Sequence, residues 1–325
     1  MRSVVTDTIR IDSYLSGDSL DSIADDVREG LSRSFKELAP KYFYDARGSE
    51  LFDRITSLPE YYPTRCEREI LNRWAPQIVA LSEAEELVEL GSGTASKTRA
   101  LLYAMAGTGR LRRYVPMDCS ESVVIECADE LSEIYPGLEV HGVVGDFERH
   151  LEHLPDGESR LFAFLGGTIG NFYPEARSRF LAYLRTLMGP TDHVLLGTDL
   201  VKDVDVLEAA YNDSEGVTAD FNRNVLRVIN QELGADFDLD AFEHVAFFDP
   251  DSCWIEMRLR SLVDQDVHVD GTTIHFGEGE EIRTEISAKF TREQLGEEFD
   301  EAGLALEAFF TDPDGHFALT LASVK

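Results

Sequence analysis

The segment that most constrains the fold is Leu87-Val88-Glu89-Leu90-Gly91-Ser92-Gly93-Thr94-Ala95-Ser96-Lys97-Thr98. It reads as a short apolar strand, a glycine-rich turn and the start of a helix. Gly91 and Gly93 let the backbone turn tightly and let a ligand approach the main chain. The rhythm continues downstream. Periodicity predicts a strand over 87–90, a helix over 94–106, a strand over 114–117 and a helix over 121–131. Strands over 138–144 and 160–165, a helix over 174–187 and a fifth strand over 193–198 follow. This alternation predicts a parallel sheet covered by helices on both faces.

The flanks differ. Residues 17–34 read as an amphipathic helix with Leu20, Ile23, Ala24, Val27 and Leu31 on one face. Residues 41–65 are dense in aromatics, and Pro59 and Pro63 stop any long helix there before a helical pattern over 67–81. After Lys202 the alternation breaks. Residues 204–233 are mostly helical, and 242–264 and 267–276 read as antiparallel strands turned at Asp249-Pro250-Asp251 and Asp270-Gly271. A helix over 292–302 and strands near 304–311 and 317–324 close the chain. The pattern is a parallel sheet interrupted by a helix-plus-hairpin insertion.

Composition narrows the classes. With 325 residues and 43% hydrophobic content, the chain can bury a large core, which excludes a disordered chain or a small disulfide scaffold. No apolar run reaches the ~20 residues of a bilayer span, and residues 1–14 lack a signal-like apolar stretch. Neither membrane association nor secretion is expected. Sixty-two acidic against 30 basic residues give a net charge of −32, which repels phosphate backbones and excludes nucleic acid as a partner. Only six of the basic residues are Lys. Charge this extreme, spread along the chain, fits a salt-rich cytoplasm where self-repulsion is screened. The four cysteines, Cys66, Cys119, Cys127 and Cys253, form no CxxC pair and no metal-ligand spacing. Reduced thiols, a cytoplasmic location, a monomer and no metal are expected.

Three ligands compete for the glycine loop. A P-loop needs Gly where Ser96 precedes Lys97-Thr98, and a dinucleotide fingerprint wants a third Gly or Ala at that same place. S-adenosylmethionine (SAM) carries no pyrophosphate, and its sulfonium and amino group tolerate the acid Glu89 one step before the loop. Asp118 ends the second strand, where a carboxylate can accept ribose hydroxyls. Asp146-Phe147 ends the third, where the acid can accept from an adenine amine and the ring can stack on the base. Three such residues after successive strands favour a Rossmann-like SAM-dependent methyltransferase. Asn171 follows the fourth strand, at the sheet edge where ligands of such folds bind.

The surrounding segments carry a more specific resemblance. They include Phe43-Tyr44-Asp45 with Gly48-Ser49-Glu50-Leu51-Phe52-Asp53, and Leu58-Pro59-Glu60-Tyr61-Tyr62-Pro63-Thr64-Arg65. Then come Phe164-Leu165-Gly166-Gly167-Thr168-Ile169-Gly170-Asn171 and Gly197-Thr198-Asp199-Leu200-Val201-Lys202-Asp203. Ala210-Tyr211-Asn212-Asp213, Gly216-Val217-Thr218-Ala219 and Phe221-Asn222-Arg223-Asn224 complete the set. From about residue 10 to the end, the chain closely resembles the histidine-specific SAM-dependent methyltransferases of ergothioneine biosynthesis, which methylate the α-amine of L-histidine three times to give hercynine.

The resemblance implies a class I methyltransferase core over 66–203 and 288–325, and a second α+β domain for substrate built from 1–65 and the insertion 204–287. It implies SAM against Tyr44, Gly91, Lys97, Asp118, Asp146 and Phe147. The histidine amino and carboxylate groups would meet Gly166, Asn171, Tyr211 and Thr218, and the imidazole Tyr61, Met257, Glu285 and Ser287. Gly167 departs from family members that carry Ser there. Independently, Glu285 and Ser287 alternate along a predicted strand, so they share a face and can hold both imidazole nitrogens. Methyl transfer is an in-line displacement in which positioning dominates and no metal or covalent nucleophile is called for. Asn171, Tyr44 and Tyr61 are the candidate catalytic residues, with Tyr44, Tyr61 or water as proton acceptor. The faces of Tyr44, Phe52 and Tyr61 suit a growing ammonium. The competing readings are methylation of another aromatic amino-acid amine such as tryptophan, a non-catalytic SAM-binding regulator, and a nucleotide-phosphate enzyme built on Ser96-Lys97-Thr98.

Overall fold

The structure, a computed structural model, describes residues 2–5, 8–15 and 19–325, and only the backbone for 2–5 and 19–22. The chain opens with β1 (Arg2–Val5), β2 (Ile9–Ser13), α1 (Ser19–Ser32), the two-residue β3 (Lys36–Glu37), α2 (Ala46–Ser57) and α3 (Pro63–Ser82). Then come β4 (Glu86–Leu90), α4 (Arg99–Gly107), β5 (Arg113–Asp118), α5 (Glu121–Ile134) and β6 (Glu139–Val144). β7 (Arg160–Phe164), α6 (Pro174–Leu187), β8 (His193–Asp199), α7 (Val204–Tyr211) and α8 (Val217–Leu233) follow. The last third holds β9 (Phe242–Asp249), β10 (Trp254–Ser261), β11 (Gln265–Val269), β12 (Thr272–Phe276), β13 (Glu281–Ala288), α9 (Arg292–Glu301), β14 (Leu304–Thr311) and β15 (Phe317–Val324). Of the expected helix over 17–34, residues 17 and 18 and the Leu20 side chain lie outside the described residues. Ile23, Val27 and Leu31 form its buried face.

The chain divides into two compact units. The first comprises Met1–Ser16, Cys66–Leu200 and Phe290–Lys325. Its nine-stranded sheet has the order β1-β2-β6-β5-β4-β7-β8-β15-β14. β2, β6, β5, β4, β7 and β8 are parallel, while β1, β15 and β14 pair antiparallel at the two margins. This is the Rossmann-like α/β sheet that the alternation predicts. β7 is buried along its whole length, as a strand covered on both faces must be. The chain runs from β4 through β5 to β6 on one side, then returns to β7 and β8 on the other. That reversal puts the carboxyl ends of β4 and β7 side by side, the switch point where such sheets bind ligands.

Two expectations are corrected. Residues 1–65 do not group together: β2 extends the large sheet beside β6, with buried Asp12 2.9 Å from His141 Nε2. β2 lies between β1 and β6, and its Ile11 and Asp12 are buried. The helix expected from residue 94 begins at Arg99. Ala95 adopts a left-handed φ of 51°, which breaks a helix, and Thr98 turns its hydroxyl back to Glu89.

The second unit comprises Gly17–Arg65 and Val201–Lys289. Its sheet has the order β3-β13-β10-β9, with the β11–β12 hairpin separate. Asp270-Gly271 turns that hairpin with φ of 46° and 74°, the paired left-handed residues of a type I′ turn. Asp45 caps α2 by accepting from Gly48 N at 2.7 Å, and Asn224 of α8 donates to the same oxygen at 2.8 Å. Helix packing and helix capping thus share one carboxylate.

Candidate active site

In the first unit, Gly91, Lys97, Asp118, Asp146 and Phe147 lie at or just after the carboxyl ends of β4, β5 and β6, whereas Tyr44, also expected around the methyl donor, belongs to the second unit. Gly91 and Gly93 have φ of 71° and 49°, a region that L side chains avoid. The Gly93 amide donates to Asp118 Oδ2 and the Ser120 amide to Oδ1, both at 2.9 Å. Asp118 therefore ties the end of β5 to the glycine loop, and each oxygen keeps a further lone pair. Asp146 accepts from the Glu148 amide at 2.8 Å, which shapes the turn after β6. Next to it, half-buried Phe147 packs at 5.2 Å on Phe164 and 6.4 Å on Phe180. A Cβ on Gly91 would rest 3.7 Å from the Phe147 ring. A stacking ring beside a glycine turn, with carboxylates at two successive strand ends, fits an adenosyl group.

Glu89 does not face the loop as an open acid. It is buried, and its oxygens accept from the Thr98 and Tyr114 hydroxyls. Burial pushes its carboxyl up to about 7, against those two hydrogen bonds and the Lys97 charge. Its role is to hold the loop's second half onto the strand.

Lys97 Nζ lies 2.7 Å from Glu67 Oε2, and Glu67 Oε1 accepts from the Gly166 amide at 2.7 Å. Gly166 and Gly167 both have positive φ, 79° and 72°, so the Gly at 167 satisfies a backbone that strains Ser. Asn171 ends the short 3-10 turn Thr168–Asn171 after β7. Its half-buried amide has no hydrogen-bond partner among the described residues.

The second unit holds Tyr61, Tyr211, Thr218, Met257, Glu285 and Ser287, whereas Gly166 and Asn171, also expected around the substrate, lie in the first. Tyr44 stands edge-on to Phe52 and Phe221, each at 5.6 Å, and Phe52 is 6.2 Å from Tyr61. Tyr61 in turn lies 6.4 Å from Tyr211. Buried Met257 of β10 is directly opposite Glu285 of β13, and Ile255 is opposite Ser287. Directly opposed residues share a face, so Met257, Glu285 and Ser287 do too. The Ser287 hydroxyl is not paired with Glu285. It lies 2.7 Å from the Tyr211 hydroxyl and accepts from Lys289 Nζ at 2.8 Å. Lys289 is fully buried, donates to Tyr211 Oη at 3.2 Å and stands 4.7 Å over its ring. Tyr44 is 52% exposed, but its surroundings are crowded enough that desolvation, then the Glu285 charge, then Tyr211 raise its hydroxyl. Thr218 is buried at the start of α8, and its amide donates to Asp213 Oδ1 at 2.7 Å. Desolvation raises the buried Asp213 carboxyl, but hydrogen bonds from Thr218 and Val217 outweigh it and lower the carboxyl overall.

Glu67 and Lys289, both fully buried, are not among the residues that the sequence points to. The signal for Lys289 was its rarity, one of six lysines and two residues after Ser287. Cys66, Asp312 and His316 also bring possible metal donors within 4.8 Å of one another, a grouping that spacing along the chain does not announce. The Asp312 oxygens already accept from the Asp314 and Phe317 amides.

The sequence model of the SAM-dependent histidine-specific methyltransferase family matches residues 23–324. A histidine N-alpha-methyltransferase from Mycolicibacterium smegmatis is 50% identical over 97% of this chain and 99% of its own length. One from Mycobacterium tuberculosis is 51% identical over 92% of this chain and 94% of its own length. An L-tryptophan methyltransferase from Psilocybe serbica is 26% identical over 90% of each chain. With a family match across nearly its whole length and half its residues shared with two such relatives, the chain belongs to the SAM-dependent histidine-specific methyltransferases.

Proposed function

We propose that the chain transfers three methyl groups from SAM to the α-amine of L-histidine, forming hercynine, the first step of ergothioneine biosynthesis. The observation that carries this reading is the shared face of Met257, Glu285 and Ser287 beside the Tyr211–Lys289 contact, in a chain 50% identical to a histidine N-alpha-methyltransferase. An acid and a hydroxyl on one face suit an imidazole, whose one ring nitrogen donates and other accepts, whereas an indole has a single N–H and no ring acceptor.

SAM supplies an electrophilic methyl on a sulfonium. Asp118 would accept from the ribose hydroxyls, Asp146 from the adenine amine, and Phe147 would stack on the base. Lys97 and the Gly91 turn would meet the amino-acid end of the donor, with Tyr44 beside it. Gly166, Asn171, Tyr211 and Thr218 would hold the histidine amine and carboxylate. Tyr61, Met257, Glu285 and Ser287 would hold the ring. Fixing the substrate at both ends limits the amine to one line of attack, which is the main contribution a protein makes to such a displacement. The amine must attack as the free base. A neutral Tyr44 phenol can accept a hydrogen bond from the amine and orient it, with Tyr61 or water as the other candidates for the proton. The faces of Tyr44, Phe52 and Tyr61 would favour the cation that grows with each methylation.

We further infer a cytoplasmic monomer that binds neither membrane nor nucleic acid. No helix of the described residues is long and apolar enough to cross a membrane, and the charge of −32 opposes both self-association and phosphate binding. The same charge supports a salt-rich cytoplasm, and the melting temperature is expected to rise from low to molar salt. A flat melting curve contradicts that. The function is tested by kcat/KM for L-histidine against L-tryptophan and other amino acids. Histidine is expected to exceed tryptophan at least about a hundredfold, since a mismatched polar pocket discriminates strongly. A preference for tryptophan, or SAM binding without turnover of any amine, overturns it.

A further inference from the structure

We propose that Glu67 is a positioning residue for the methyl-donor site, which presets Lys97 and the Gly166 loop through one carboxylate. This rests on the reading that Lys97 meets SAM. Glu67 is wholly buried near the start of α3. One oxygen holds Lys97 Nζ and the other the Gly166 amide, each at 2.7 Å. Three segments that are far apart in sequence meet there: α3, the loop after β4 and the loop after β7.

Two further observations fit a purpose beyond filling space. A Cβ on Gly197 of β8 would stand 2.4 Å from Glu67 Oε1, so β8 is cut back to glycine where the carboxylate lies. The Gly166-Gly167 turn is left-handed at both residues, and glycine alone leaves such a turn free to adopt other conformations. The bond to Glu67 fixes which way the Gly166 amide points. A Cβ on Gly166 would stand 3.5 Å from Lys97 Nζ, so the ammonium and the loop are held as neighbours. A buried ion pair is a poor source of stability compared with apolar packing. Its value here is geometric: Lys97 is three-quarters covered and aimed before a ligand arrives.

Glu67→Gln separates the two contacts. The amide oxygen still accepts from Gly166, but its NH₂ turns a donor toward the Lys97 ammonium and releases it. The expected result is a rise of about tenfold in Kd for S-adenosylhomocysteine and in KM for SAM. kcat and the KM for histidine are expected to stay within about threefold, because the Gly166 contact is retained. Lys97→Met is expected to give a similar rise, and the double variant no more than either alone, the mark of two residues acting as one unit. Glu67→Asp keeps the charge with a shorter reach and is expected to recover part of the affinity. A Glu67→Gln protein with parental affinity for S-adenosylhomocysteine, or with only a lowered melting temperature, overturns the proposal. So does a double variant whose effects multiply. If Glu67→Gln does not fold, Glu67→Asp with and without Lys97→Met draws the same distinction. Unchanged affinity in Lys97→Met instead refutes the reading of the donor site itself.

Discussion

The Tyr211 and Ser287 hydroxyls lie 2.7 Å apart, and the buried Lys289 ammonium donates to both. A positive charge behind two hydroxyls polarises them as donors, which suits the carboxylate proposed at Tyr211 and a ring-nitrogen acceptor proposed at Ser287. Replacing Lys289 by Met keeps the stem and removes the charge. Histidine is expected to bind about tenfold more weakly, with S-adenosylhomocysteine affinity unchanged, as read by calorimetry. Equal loss for both ligands would mean that Lys289 only supports the fold.

Glu285 lies across the ladder from Met257. With Glu285→Ala, a ring nitrogen of bound histidine loses its acceptor, and histidine binding is expected to weaken by about 1–3 kcal/mol. Glu285→Gln is expected to recover part of that, because an amide oxygen still accepts. Parental histidine affinity in the alanine variant removes Glu285 from the ring site.

Asn171 is expected to matter more, because it would orient the reacting end. Asn171→Ala should lower kcat/KM by about a hundredfold, since small misplacements of a reacting group carry penalties of that size. Steady-state rates at saturating SAM test this. A variant within a few-fold of the parent excludes Asn171 from the reaction centre.

Glu89 makes stability depend on pH. Its folded pKa of about 7 stands above the ordinary 4.5, so the folded state binds more protons than the unfolded one between these values. Stability from this group is therefore complete below pH 4.5 and is lost as pH rises through about 7. The shift corresponds to about 3 kcal/mol. Glu89→Gln, which has no charge to bury, is expected to flatten that part of the stability profile and to melt higher than the parent at pH 8. Denaturant titrations from pH 5 to 8 decide it, and parallel profiles for the two proteins would refute it.

The parts of this molecule that were legible in sequence are those where local pattern and chemistry coincide. The glycine turn after β4, Asp118 after β5 and Asp146-Phe147 after β6 each follow an apolar run, and strand ends are where this sheet type binds ligands. β13 carried the alternation that puts Glu285 and Ser287 on one face. What was not legible depends on contacts distant in sequence. Glu67 lies amid the charged run Arg65-Cys66-Glu67-Arg68-Glu69, and only the folded chain shows that Gly166 and Lys97 converge on it. The partners of Ser287 come from α7 and from Lys289, and no local pattern announces the contact with Tyr211. β2 was missed because a five-residue strand is too short to separate from an irregular N-terminal segment. The late start of α4 follows from Ala95, a residue whose helical propensity argues against the left-handed turn it adopts.

The most direct test is the mass of the product formed when the purified protein is given excess SAM and L-histidine, with L-tryptophan in a parallel reaction. The account predicts mono-, di- and finally trimethylated histidine, with the methyl groups on the α-nitrogen in the fragment spectrum, and tryptophan left unchanged. Methyl groups on the imidazole ring, or methylated tryptophan without methylated histidine, would contradict it.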